Sequence, residues 1–196
     1  MIIGITGGIG SGKSVIAKQL RRMGYAVYDT DSEAKKLILE DKEVRQQIEQ
    51  LFGSEVYDHG VYQTAWVAQQ VFADKSLLAK LNTIVHPAVK ADILRWNTSL
   101  RNTSPNNLMF VECAILYQAG LDTLCDKVVA ITAPEDIRIQ RVIARDHSTI
   151  DQVRARMRAQ NAEQFLQRAD IVINNDGYIP VTELCSRIQQ ALTTNP

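Results

Sequence analysis

The run Gly7-Gly8-Ile9-Gly10-Ser11-Gly12-Lys13-Ser14 constrains this chain more than any other stretch. It satisfies the spacing G-x-x-x-x-G-K-[ST]. It also lies between a short apolar segment, Met1 to Thr6, and a segment in which Ile16, Leu20 and Met23 recur at i, i+4 and i+7 before Gly24. An isoleucine-rich strand stopped by two glycines, then a loop, then an amphipathic helix is the order such a loop requires. Glycines allow successive backbone N–H groups to converge on one anion, and the helix N-terminus adds partial positive charge. Lys13 is placed to contact β- and γ-phosphates and Ser14 to offer a hydroxyl to Mg2+, so Gly8, Ile9, Gly10, Ser11, Gly12, Lys13 and Ser14 are read as a nucleotide phosphate site.

The rest of the chain extends this unit. Ala26 to Tyr28, Leu108 to Val111, Lys127 to Thr132 and Ile171 to Ile173 are further short, buried-strand candidates, and helices separate most of them. Strands alternating with helices predict an α/β fold, a parallel sheet covered on both faces. From Lys42 to about Arg101 the pattern is mostly helical, with segments near 42–52, 63–73, 76–85 and 87–101 and no convincing strand; a polar loop, 102–107, follows. The expected division is therefore a nucleotide-binding core over 1–40 and 108–196 with an inserted, mainly helical lobe over 41–107.

Composition narrows the function classes. The 196 residues are 45% hydrophobic and 22% charged, which suits a globular chain and is too apolar for a disordered one. With 22 basic and 22 acidic side chains there is no broad positive footprint, so no nucleic-acid partner is expected. No run of about 18 apolar residues occurs, and Met1-Ile2-Ile3-Gly4-Ile5 lacks a basic signal-peptide start, so no membrane partner and a cytoplasmic location are expected. Cys113, Cys125 and Cys185 are odd in number and far apart, which suggests neither a disulfide framework nor a zinc site.

Motors, switches, pumps and small-molecule kinases all use such a loop, so the acceptor has to be argued from other residues. Asp29 and Asp31 fall at the carboxyl end of the second strand, on the sheet edge where open α/β folds bind ligands. Either could orient an acceptor hydroxyl and take its proton, or hold Mg2+ through water; the alternative is that both cap the following helix. Arg138, Arg141 and Arg145, at i, i+3 and i+7, present three guanidinium groups on one helix face, suited to a transferring phosphate or simply to solvent. Beside a phosphate loop, Arg141 and Arg145 are read as phosphate ligands. Thr149-Ile150-Asp151-Gln152 resembles a capping box, and the polar stretch from Arg145 to about Asn161 is either a mobile flap or a solvated helix. Glu112 ends the third strand as a second Mg2+-shell acid or a solvent-facing one. His86-Pro87 reads as a helix junction or a substrate contact. His59 and His147 are read as surface residues, and Trp66 and Trp96 as packing in the inserted lobe or stacking on a base. No guanine-reading Asn/Thr-Lys-x-Asp is present, which disfavours a GTP switch.

Together these motifs resemble the dephospho-coenzyme A kinases over nearly the whole chain. The resemblance is carried by Ile5-Thr6 leading into the loop, by Asp29-Thr30-Asp31, Val71-Phe72, Leu81-Asn82, Ile84-Val85-His86-Pro87, Arg141-Val142-Ile143-Ala144-Arg145-Asp146, and by Ala169-Asp170-Ile171-Val172-Ile173-Asn174-Asn175, in that family's order and spacing. It implies a five-stranded parallel sheet like that of nucleoside monophosphate kinases, a helical substrate lobe and an arginine-bearing helical lid, here about 138–165. It also implies transfer of the ATP γ-phosphate to the ribose 3′-hydroxyl of dephospho-coenzyme A, the last step of coenzyme A synthesis; Mg2+ is expected from the phosphate loop, and a monomer or weak homo-oligomer is expected. Residue by residue, Asp31 resembles the catalytic base, Thr6 and Arg141 its active-site partners, and Gly10 to Val15 the ATP loop; the readings of Lys13 as catalytic, Arg145 as an ATP contact, and Asp29 and His86 as acceptor contacts come from their own positions. Two departures stand out: Glu112-Cys113-Ala114-Ile115-Leu116-Tyr117-Gln118 replaces the family's Asp-x-Pro-Leu-Leu-Phe-Glu, and Thr64 stands where an arginine is common. A kinase of another small hydroxyl acceptor would keep every phosphate motif and differ only in the inserted lobe.

Overall fold

The structure, a computed structural model, describes residues 1–100, 107–160 and 162–194. In chain order the first elements are β1 (Ile2–Thr6), α1 (Lys13–Arg22), β2 (Ala26–Asp29), α2 (Thr30–Glu40), α3 (Lys42–Phe52), β3 (Tyr57–Asp58), β4 (Val61–Tyr62), α4 (Thr64–Ala73) and α5 (Lys75–Ser99). Then follow β5 (Met109–Glu112), β6 (Lys127–Thr132), α6 (Glu135–Asp146), α7 (Ile150–Gln160), α8 (Ala162–Arg168), β7 (Ile171–Asn174) and α9 (Val181–Thr194). Packing divides the chain into two units, Met1–Tyr28 with Leu100–Pro196, and Asp29–Ser99. The division falls at Asp29, ahead of the 40/41 boundary expected from the sequence, because α2 packs on α5 and α3.

In the first unit five strands form a parallel sheet flanked by helices, in the order β2-β5-β1-β6-β7. Every residue of β1 and β5 is buried, as strands covered on both faces must be, which explains why they are apolar up to the polar residues that end them, Thr6 and Glu112. The register sets Ile5 beside Glu112 on one flank of β1 and Thr6 beside Ala130 on the other, so the loop after Thr6 and the acid ending β5 share the carboxyl edge. Ile3, Ile5, Phe110, Val129 and Ile131 from the sheet pack with Ile16 and Leu20 of α1 and Leu184 and Ile188 of α9, anchoring the helix that follows the loop. Cys113 and Cys185 are buried, and none of the three cysteines forms a disulfide.

The second unit has its own core of Val44, Ile48, Val56, Tyr57 and Val67, with Trp66 packed against it. Two expectations are corrected here. A hairpin pairs Tyr57 with Tyr62 and Asp58 with Val61 where no strand was expected. Its two-residue turn puts both His59 (φ 47°) and Gly60 (φ 81°) in the left-handed region, the primed-turn geometry that usually advertises itself with Asn-Gly or Asp-Gly. Secondly, α5 runs unbroken through Pro87, because Val89 and Ile93, buried beyond it, hold the helix together past the missing N–H. Asp29 does cap α2: its carboxylate accepts from Asp31 N and Ser32 N, each at 3.2 Å, and from Ser32 Oγ at 3.1 Å. The polar loop expected over 102–107 lies outside the described residues except for Asn107. Among the described residues no helix is long and apolar enough to cross a membrane.

Candidate active site

The loop after β1 is shaped by glycines that nothing larger could replace. Gly10 (φ 78°) and Gly12 (φ 94°) both lie in the left-handed region. A Cβ on Gly10 would come within 2.5 Å of the Arg138 carbonyl oxygen, and one on Gly12 would collide with the Asn175 side-chain amide. The loop is thus pressed against α6 and the segment after β7, and its backbone can approach a ligand only on the remaining side. Thr6, at the mouth of the loop, is fully buried, and its Oγ1 has no partner among the described residues; Ser11 Oγ is in the same position. Buried hydroxyls are ordinarily paired, so both point to a polar group that the protein alone does not supply.

Charge converges on this loop from three elements. Lys13 Nζ donates to the carbonyl of Gly7 at 2.7 Å and that of Gly8 at 3.3 Å, folding the ammonium over the loop. Ser14 Oγ donates to Glu112 Oε1 at 2.7 Å, which resolves the two readings of Glu112: the acid is buried and turned toward the loop, not toward solvent. From α6, Arg138 Nε donates to the Ile9 carbonyl at 2.9 Å, and Arg141 Nη1 donates to the Asn175 carbonyl at 3.0 Å, with longer contacts to Gly10 and Ser11 carbonyls at 3.4 and 3.5 Å. Burial draws the Arg138 pKa below the usual guanidinium value. Val15, the first-turn residue after Ser14, is exposed.

The arginine row divides. Arg145, four residues beyond Arg141 on α6, turns away to the carboxylate of Asp146 (2.7 and 3.0 Å), which Arg156 of α7 also contacts at 3.1 Å. That pairing raises the Arg145 pKa and lowers that of Asp146. His147 (φ 54°) ends α6, and Thr149 and Gln152 form the expected reciprocal cap at 3.0 and 3.3 Å, so the polar stretch is a helix, α7. Two residues at the site carry no motif of their own. Asn175 Nδ2 donates to the Ser11 carbonyl at 2.8 Å, and Gln160 Oε1 accepts from Ile9 N at 2.6 Å. The strand ending in Asn174-Asn175 was the only sequence signal for the first; nothing marked the second.

The remaining predicted residues belong to the second unit. Asp31 is exposed in the first turn of α2, and His86 is half-buried on α5, which packs on α2; burial lowers the His86 pKa. His59 and His147 are exposed, as expected. Among the described residues no cluster of three or more His, Cys, Asp or Glu could hold a metal on its own. Ser14 and Glu112 nevertheless offer hard oxygen ligands of the type Mg2+ takes alongside substrate phosphates and water.

A parallel sheet whose central strand feeds a glycine loop, a lysine, a hydroxyl backed by an acid, and arginines from a following helix define a phosphate-loop kinase. Solved structures agree on the fold: the dephospho-CoA kinase of Campylobacter jejuni superposes with TM-score 0.72 at 24% identity over 98% of this chain and 97% of that one. A shikimate kinase of Acinetobacter baumannii superposes at 0.58 with 15% identity, covering 99% and 93%. A protein of Thermus thermophilus gives TM-score 0.82 at 31% identity over 100% and 98%. The chain belongs to the dephospho-CoA kinase family, whose family model matches residues 1–180. Relatives so named include that of Porphyromonas gingivalis, 40% identical over 99% of this chain and 96% of the relative, and that of Chlorobaculum tepidum, 35% identical over 97% and 92%.

Proposed function

We propose that this enzyme transfers the γ-phosphoryl group of ATP to the ribose 3′-hydroxyl of dephospho-coenzyme A, giving coenzyme A and ADP. Family membership over residues 1–180 carries the choice of acceptor; the loop geometry supports the phosphate chemistry. The transfer is direct and in line: the bond from the acceptor oxygen to Pγ forms as the bond from Pγ to the β,γ-bridging oxygen breaks, and the hydroxyl proton passes to the Asp31 carboxylate. Loop N–H groups between Gly8 and Val15, that of Ile9 excepted, and the Lys13 ammonium hold the phosphates, with Lys13 exchanging its present carbonyl partners for phosphate oxygens. Arg141 neutralises charge developing on the transferred group, and Arg145 joins it by exchanging Asp146 for phosphate. Thr6 offers its unpaired hydroxyl beside the loop.

A Mg2+ ion held here would supply positive charge to offset that of the substrate phosphates. Ser14 would hold it directly, and Glu112 or Asp29 through water. Asp29 and His86 orient the acceptor. The protein acts in the cytoplasm on two small molecules, as a monomer or weak homo-oligomer, with neither nucleic acid nor membrane as partner. The test is ADP release from ATP with and without dephospho-coenzyme A, with mass detection of the product. Dephospho-coenzyme A is expected to stimulate release in step with product; stimulation by shikimate, a sugar or a nucleoside monophosphate instead would overturn the acceptor.

A further inference from the structure

Ile9 is held by α6 and α7 on three sides. Its N–H donates to Gln160 Oε1 at 2.6 Å, and its carbonyl accepts from Arg138 Nε at 2.9 Å. Its side chain packs on the small cluster of Ile139, Val142 and Val153, together with Ile143 and Met157. All of these partners belong to the two helices after β6. Ile9 itself sits between Gly8 and Gly10, where the backbone has little stiffness of its own. The direction of its peptide groups is therefore set from outside the loop.

The chemistry of position 160 is specific. Two arginines of α7 are committed elsewhere, Arg154 to Glu135 at 3.6 Å and Arg156 to Asp146 at 3.1 Å. Gln160, in the last turn, supplies the acceptor that Ile9 N needs. A carboxylate would accept the same bond but bring negative charge to the edge of a site for polyphosphate; a carboxamide accepts without charge. Because its oxygen occupies the Ile9 N–H, that group is not among those left to converge on phosphate.

We infer that Gln160 is a positioning residue for phosphoryl transfer: acting through Ile9, it sets the loop in its phosphate-ready form and ties that form to α7. The inference rests on the kinase reading above for its purpose, though not for its geometry. Two measurements test it. In nucleotide-free wild-type protein, NMR should detect scalar coupling across the hydrogen bond between the Ile9 amide nitrogen and the Gln160 side-chain carbonyl carbon; its absence overturns the inference whether or not any variant folds. In Gln160→Met, which keeps length and loses the acceptor, Ile9 amide exchange should accelerate about tenfold and the calorimetric Kd for ATP should rise about fivefold. The kcat should stay within about twofold, since the lost contact serves ground and transition states alike. Unchanged exchange and Kd, or a fall in kcat with Kd unchanged, overturns the positioning role. If wild-type protein shows the coupling and binds ATP yet ignores dephospho-coenzyme A, the acceptor fails and the Gln160 assignment stands.

Discussion

The hydroxyl of Ser14 donates to Glu112 Oε1 at 2.7 Å across 98 positions of sequence. Parallel pairing of β1 with β5 makes this possible: Ile5 and Glu112 are register partners, so the acid ends its strand beside the strand that feeds the loop. The bond holds the hydroxyl in one orientation, its oxygen lone pairs free for a cation. Glu112→Gln keeps the shape and loses the charge. The Mg2+ concentration giving half-maximal rate should rise about 10- to 100-fold, the usual effect of losing a group that orients a metal ligand. A Mg2+ titration of initial rates reads this directly, and an unchanged requirement would reduce Glu112 to a packing role.

Lys13 bridges two carbonyls of its own loop, at 2.7 and 3.3 Å, and must release them to reach phosphate. Lys13→Met removes the cation while preserving the length of the stem. The expected loss in kcat is about 10²- to 10³-fold, the range for removing one preorganised donor from developing charge. Circular dichroism and thermal melting should show the fold intact, since α1 is anchored by Ile16, Ala17 and Leu20.

Arg141 and Asn175 converge on the same stretch of loop. Asn175 Nδ2 donates to the Ser11 carbonyl at 2.8 Å, and Arg141 Nη1 reaches that carbonyl at 3.5 Å while bonding the Asn175 carbonyl at 3.0 Å. Arg141→Ala and Asn175→Ala should each destabilise by about 1–2 kcal/mol. The double variant should cost less than the two combined, by at least about 0.5 kcal/mol, because each loosens the other's acceptor. Urea unfolding of the four proteins closes the cycle; additive losses would mean the two residues act independently.

Where local pattern carries the information, the sequence is readable. The isoleucines of β1, the glycines of the loop and the 3.6-residue spacing of α1 each follow from a short window, and five short apolar runs became five strands. The His59-Gly60 turn is not legible in the sequence because His-Gly is not one of the pairs, such as Asn-Gly or Asp-Gly, that signal a primed turn, and α5 continues through Pro87 because its tertiary packing outweighs one missing bond. The arginine row shows the limit most clearly. Spacing alone makes Arg138, Arg141 and Arg145 equivalent, yet Arg138 meets Ile9, 129 positions away, whereas Arg145 meets its own neighbour Asp146. Gln160 and Asn175 likewise acquire meaning only when the fold delivers distant backbone to them.

The cysteines yield a prediction in pH. Burial pushes the Cys125 thiol up to about 12 and the Cys185 thiol up to about 11, from 9.0. At pH 8 the native protein should therefore react slowly with iodoacetamide at both, and unfolding in urea should expose fast labelling, since the thiolate is the reactive form. The linkage has a definite sign. Folded thiols keep their protons to higher pH than unfolded ones, so their contribution is fully present below pH 9.0 and is lost as pH rises toward 11 for Cys185 and 12 for Cys125. Within that window each thiol should steepen the fall in stability by about 1.4 kcal/mol per pH unit. Cys185→Ala should make the fall of unfolding free energy between pH 9.5 and 10.5, roughly the middle of its window, shallower than in wild type by about 1 kcal/mol per pH unit. Equal slopes in the two proteins would show that Cys185 titrates no differently in the folded chain.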